Sequence, residues 1–277
     1  MNSAYGLALC LATFFPSAVP VSADQVRPRP YAALKQVLDA VEGFDSWPKR
    51  AEPGYLLQAP HRGDGIRVAS HFKGQTLGIV TQSSGARFDT ITNAQATAPL
   101  SLVMGPDGQG LAVAYHNGFG TNAAFPIGPD GFAVISGRGE GALAILFDHD
   151  QRATGFLAHS DYADPLGTRP ARRGAIEVVF MSREGHVLAR IEAGLEQGIT
   201  ALGFETASGA PEIAGLVILN TDPGGIAVDD ILFARAPMVG KMQHPAQNWR
   251  TDSWHAGSGT IAFLHARKTS QNLPRQP

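Results

Sequence analysis

Asp229 and Asp230 stand side by side within a hydrophobic run, Ile226-Ala227-Val228-Asp229-Asp230-Ile231-Leu232-Phe233. Successive residues of a strand point to opposite faces, so one of the two carboxylates must turn inward or towards the sheet end. A bare charge there is costly, and the group needs a cation or several N–H donors. The densest polar stretch pairs Asp148-His149-Asp150 with His159-Ser160-Asp161-Tyr162-Ala163-Asp164. Acids beside imidazoles can bind metal or act as an acid–base pair. These groups bracket an expected strand at 154–158 and so fall at its opposite ends, which reads as solvated turns. Their spacing fits no H-E-x-x-H zinc pattern.

Other chemistries find less support. There is no G-x-S-x-G elbow, and Ser160 beside His159 is adjacency in sequence, not triad geometry. Glycosidase chemistry needs two carboxylates about 5–10 Å apart across a cleft. Glu140, Glu177, Glu192 and Glu205 are available, but spacing singles out no pair among them. Gly118-Phe119-Gly120 and Gly137-Arg138-Gly139 open like nucleotide-binding loops, yet neither is followed by helical periodicity, so these glycines serve turns. Trp47, Tyr55, Tyr115, Phe119 and Tyr162 lie in or beside expected loops, with Trp249 and Trp254 in the tail. Such rings can form a binding platform, apolar on the face and polar at the tip.

The elements that must position these groups are mostly strands. Short apolar runs fall at 55–58, 66–71, 77–82, 86–91, 100–104, 111–116, 132–136, 141–147, 154–158, 175–180, 187–192, 200–206, 214–220 and 226–233. Several alternate with period two: Leu143, Ile145 and Phe147 share a face, as do Ile176, Val178 and Phe180. Gly105-Pro106-Asp107-Gly108 and Gly128-Pro129-Asp130-Gly131 read as turns, since Pro presets φ and Gly accepts a positive one. Before them, Leu34, Val37, Leu38 and Val41 repeat at helical spacing between Pro30 and Gly43, which predicts one short helix. Evenly spaced strands with such turns predict an all-β fold, an antiparallel sandwich or barrel.

The chain has 277 residues, with 22 Lys and Arg against 24 Asp and Glu, a net charge of −2. That balance argues against a nucleic-acid partner. Hydrophobic residues make up 44% and charged residues only 17%, so the chain is not disordered. Residues 1–23 contain no Asp, Glu, Lys or Arg and end on Val21-Ser22-Ala23, the layout of a signal peptide cleaved after Ala23. The single cysteine, Cys10, lies inside that segment, so the mature chain would hold no disulfide. No later stretch has the length to cross a membrane without a charge or turn, and no transmembrane anchor is expected. The tail carries Lys241, Arg250, Arg267, Lys268 and Arg275 against Asp252 and loses the strand rhythm. The expected layout is a signal peptide at 1–23, a helix and linker at 24–42, a sandwich at 43–235 and an irregular basic tail at 236–277.

Gly43-Phe44-Asp45 followed by Gly65-Ile66-Arg67-Val68 resembles the opening strands of secreted bacterial jelly-roll domains of the kind found in PEP-CTERM-type exported proteins. The run 141–148 with Ala153-Thr154-Gly155-Phe156 is similar to their middle pair, and Gly225–Phe233 to their "IDD(I/V)xF" final strand. The resemblance covers about residues 43–235, and the final strand is its most specific part. There is no Pro-Glu-Pro, no anchor helix and no terminal Arg cluster behind one, so membrane sorting by that route is not implied. The resemblance implies an antiparallel jelly-roll β-sandwich that is exported to the periplasm or the exterior. It also implies a structural Ca²⁺ between first and last strands, with Asp45, Asp229 and Asp230, and further Glu42, as ligands. Backbone N–H donors to these carboxylates are the other way to satisfy them. The function it implies is that of a non-catalytic binding or surface-associated protein with a glycan or extracellular-matrix ligand. Trp47, Tyr115, Phe119 and Tyr162 are the candidate contacts. The rivals are a polysaccharide-acting hydrolase, marked by a cleft with paired carboxylates of which one has a raised pKa, and a structural envelope component.

Overall fold

The computed structural model describes residues 25–160, 174–196 and 198–236. Residues 1–24 with Cys10, residues 237–277, and Asp161, Tyr162 and Asp164 lie outside them. In chain order, β1 (Val26–Pro28) leads through one helical turn, α1 (Tyr31–Leu34), to β2 (Ala40–Glu42), β3 (Tyr55–Leu56), β4 (His61–Arg62) and β5 (Ile66–Ala69). An excursion follows: β6 (His71–Phe72), β7 (Thr76–Thr81), β8 (Arg87–Asn93) and β9 (Leu102–Val103). Then come β10 (Gly110–His116), β11 (Thr121–Ile127), β12 (Leu143–Gln151), β13 (Ala153–His159) and β14 (Ala175–Met181). β15 (Val187–Gly194), β16 (Ile199–Thr206), β17 (Ile213–Asn220) and β18 (Ala227–Phe233) complete the order.

Among the described residues most of these strands build two facing antiparallel sheets, while β6-β9 and β7-β8 form two separate two-stranded ladders. The larger runs β1-β16-β13-β18-β11-β10-β3, with β2 also on β18; the smaller runs β15-β14-β17-β12-β5-β4. From β12 to β18 the chain passes back and forth between them, as in a jelly roll. Leu143, Ile145 and Phe147 face the space between the sheets, and so do Ile176, Val178 and Phe180. Phe180 meets Phe204 from the opposite sheet edge-on at 5.0 Å. The expected alternation therefore sets the inner core.

The outer face of the smaller sheet is buried as well. Ala144, Leu146, Val179, Val217 and Leu219 pack under Phe72, Ile91 and Leu100 of the excursion. Burial on both faces explains why β17 reads as a continuous apolar run without alternation. The two Gly-Pro-Asp-Gly segments are turns, with Gly108 at φ 77° and Gly131 at φ 81°. They dock on each other, Phe132 N–H donating to Gly108 C=O.

Two local expectations are corrected. The helical pattern stops after one turn. Leu34 and Leu38 are buried, but Val37 and Val41 are 48% and 47% exposed. Ala40–Glu42 is β2, because the edge of β18 offers a backbone ladder to residues 231–233 that a lone helical turn cannot match. The region 24–42 thus contributes two strands to the larger sheet. Residues 132–136 hold no strand: they are a turn running into a short 3₁₀ segment, Ile135–Gly137, with Arg138 Nε–H donating to Phe132 C=O.

Candidate functional site

Two features gather chemically useful groups: a carboxylate cluster at the bulge of β18, and a cleft against the smaller sheet. β18 meets β11 only at Ala124↔Val228 and meets β2 from Ile231 to Phe233. The gap between those two partners falls at Asp229–Asp230, where the ladder to β13 also slips and Asp230 takes a left-handed φ of 47°. Phe44, at φ 58°, turns the chain leaving β2 across that gap. A Cβ on Gly43 would sit 3.4 Å from Asp229 Oδ1, 3.7 Å from Asp230 Oδ1 and 3.8 Å from Asp45 Oδ2. The structure therefore brings Asp45, Asp229 and Asp230 to one place.

Asp229 is 2% exposed. It accepts the Thr121 hydroxyl at 2.7 Å and the Asp230 N–H at 2.7 Å, while Asp45 accepts the Asn122 N–H at 3.1 Å. Burial pushes the Asp229 carboxyl up to about 7; the two hydrogen bonds oppose this, and the charges of Asp230 and Asp45 add to it. The donors are oxygens, the choice of a hard cation such as Ca²⁺. Among the described residues, however, no three such groups enclose a common point, so an ion here would have to draw them together. Glu42 does not join them. Its carboxylate accepts the Phe44 N–H at 2.8 Å and faces His61 Nε2 at 3.3 Å.

The cleft, of about 400 Å³, opens where the excursion stops covering the smaller sheet. Val80, Phe88, Asp89 and Thr90 of the β7–β8 hairpin form its wall; Glu177, Arg190, Glu192, Leu219, Asn220 and Thr221 form its floor. Glu177 and Glu192 are direct cross-strand partners. Like charges in that position repel, and Arg190 offsets the repulsion by pairing with Glu177. Asp89 is 5% exposed and accepts the Ala142 N–H at 3.0 Å. Burial pushes its carboxyl up to about 6 against that bond. Its own N–H donates to the Glu140 carbonyl. Glu140 is buried, its Oε2 has no hydrogen-bond partner among the described residues, and burial drives its carboxyl up to about 9.

The aromatic candidates lie elsewhere. Trp47 is half-buried, donates from Nε1 to His61 Nδ1 at 3.0 Å, and packs 5.6 Å from Tyr55. Tyr115 shares that edge and is capped by Lys49, whose Nζ lies 3.4 Å above the ring, while Arg50 lies over Tyr55. Phe119 packs on His116 and His159, whose rings are 4.6 Å apart, and Glu52 holds His116 Nδ1 at 2.8 Å. Tyr162 lies outside the described residues. Asp148 and Asp150 pair with Arg67 and Arg183, and His149 is exposed, at the end of β13 opposite His159.

The sequence offers Glu177 and Glu192 as available carboxylates, but their pairing depends on the β14–β15 register, which spacing alone does not reveal. Sequence reasoning misses Asp89. Its signal is an acid inside a strand between apolar neighbours, Phe88 and Ile91, both buried.

No family model matches this chain, and no curated protein matches it. Among solved structures it is similar to the enzymatically active domain of tailspike protein 4 from bacteriophage CBA120, at 11% identity and a TM-score of 0.25. The match covers 61% of this chain, which spans 19% of that structure.

Proposed function

We propose that this chain is an exported β-sandwich protein that binds glycan chains, with the cleft against the smaller sheet as its binding site. The observation that carries this reading is the lining of the cleft. Thr90, Thr221 and the Glu177/Glu192 pair present hydrogen-bonding groups beside Val80, Phe88 and Leu219, while the buried Asn220 amide beneath them is spent on Gly139 C=O and Asp222 N–H. A sugar has the complementary surface, hydroxyls around its rim and C–H groups on its face. The volume lies in the range of about 300–1,000 Å³ typical of small-ligand sites. Export rests on residues 1–23, and N-terminal sequencing of the protein from its native cells should begin at Asp24.

Glycan-array binding followed by calorimetry on residues 24–277, with calcium and again with EDTA, tests this reading. Thr90→Val and Glu192→Gln should each weaken binding about tenfold, the loss of roughly one hydrogen bond to a charged or fixed group. Loss of binding in EDTA would support a calcium ion among Asp45, Asp229 and Asp230. A second reading has a specific observation behind it: the edge formed by Trp47, Tyr55 and Tyr115 under Lys49 and Arg50. If Trp47→Ala and Tyr115→Ala abolish binding while the cleft variants do not, that edge is the site.

A further inference from the structure

We propose that the cleft also hydrolyses glycosidic bonds, with Asp89 as general acid and Glu177 as the base that activates water. This rests on the reading of the cleft as a glycan site. Asp89 stands on the β8 wall, and Glu177 lies on the floor, in register with Leu219 of β17, the strand that β8 overlies. Neighbouring strands are about 4.8 Å apart. The Asp89 carboxylate is anchored on Ala142 N–H at the head of β12, so Glu177 on β14 lies two strand spacings across, about 10 Å, and Glu192 on β15 lies three. Carboxylate pairs that cleave glycosides stand about 5–10 Å apart on either side of the bond.

The two carboxylates also differ in the way the roles demand. Asp89 is almost fully buried, which keeps its proton in place into mildly acidic solution. Glu177 is half-buried and held in one orientation by Arg190. Glu192 is exposed and makes no ion pair among the described residues.

In the step itself Asp89 gives its proton to the bridging oxygen as the bond from that oxygen to the anomeric carbon breaks. Glu177 takes a proton from the water whose oxygen bonds to that carbon. One water is consumed: its hydroxyl ends on the carbon, and one proton ends on the leaving oxygen after Asp89 and Glu177 re-equilibrate with solvent. The cleft also selects its substrate by charge. With Asp89 protonated and Glu177 paired with Arg190, Glu192 leaves the cleft a net negative charge, so it suits neutral or amine-bearing sugars and repels uronates.

The experiment incubates residues 24–277 with a neutral β-glucan, a neutral xylan, a partly deacetylated amino-sugar polymer and a polyuronate, and measures new reducing ends from pH 4 to 8. Binding to the same polymers is measured in parallel. The expected result is cleavage of a neutral or amino-sugar polymer that declines as pH rises through about 6. Asp89→Asn and Glu177→Gln should each lower turnover at least about 100-fold, well beyond the loss of about tenfold or less that either brings in binding. Glu192→Gln should lower it less than about tenfold. Unchanged urea midpoints in the variants would show that folding is intact. Binding without cleavage at any pH would overturn the hydrolytic proposal and leave the glycan-binding reading standing. No binding at all would overturn both. Cleavage that survives both Asp89→Asn and Glu177→Gln, or that is confined to the polyuronate, would overturn the assignment.

Discussion

Asp229 accepts two hydrogen bonds and still keeps its proton to about pH 7. Its unfolded value is near 3.8, so the folded state holds the proton more tightly. A raised carboxyl contributes stability that is fully present below the unfolded value and is lost as pH rises through the folded one. For Asp229 that window runs from about 4 to 7, and for Glu140 it runs from about 4.5 to 9. The calcium-free protein should therefore lose thermal stability between pH 5 and 9. Asp229→Asn should flatten the lower part of that decline and Glu140→Gln the upper part. Scanning calorimetry across pH checks this, and a decline left unchanged in both variants would contradict it. Added Ca²⁺ should raise the melting temperature of the parent at pH 8 and leave Asp229→Asn unmoved if an ion sits at Gly43.

At the scale of the element, β1 protects an edge. It pairs with β16 in the register Val26↔Thr206 to Pro28↔Phe204. Arg27 and Arg29 reach Glu205 at 2.9 and 3.3 Å, and Glu205 is only 4% exposed. Without β1 the edge of β16 would lie open to other chains, and Glu205 would lose its cations. A chain beginning at residue 31 should lose about 3–5 kcal/mol in urea unfolding and self-associate in size-exclusion chromatography. A monomer of unchanged stability would show that β1 does neither. The short helical turn after β1 covers the larger sheet instead. Tyr31 and Leu34 pack over Ala153 and Leu232 on its outer face, and the Tyr31 hydroxyl donates to Asp230 C=O at 2.8 Å.

The described residues are held by burial in four clusters: the core between the sheets, the excursion over the smaller sheet, the turn over the larger one, and a patch on β10, β11 and β18 under Phe119 and Phe132. The chain has one cysteine, at position 10, so no intramolecular disulfide contributes. Its urea midpoint should be the same with and without reductant, and a shift would point to a linkage between chains. The excursion also shapes the cleft. By covering most of the smaller sheet it removes the broad open face that a sandwich of this kind would otherwise present, and it leaves a cleft at the margin.

Fold class, turns and most strands were legible in the sequence because they are local. Period-two alternation in 143–147 and 176–180 states which face is buried, and Pro-Asp-Gly states where the chain reverses. The short helical pattern misleads, because helical spacing over one turn weighs less than an open strand edge. β11 escapes a sequence reading because Pro126 reads as a breaker, although it lies where β11 has β10 on one side and β18 only at Ala124 on the other. The acidic pair was legible as a group that needs compensation, and Asp45 joined it only through the jelly-roll resemblance. How they are compensated was not legible, because Thr121 and Asn122 arrive from another strand. The cleft belongs entirely to the tertiary structure. Asp89 and Glu177 line one cleft because the β7–β8 hairpin folds over strands β14, β15 and β17, which come about a hundred residues later in the chain. Contacts that distant depend on strand order and sheet packing, which no local pattern of residues encodes.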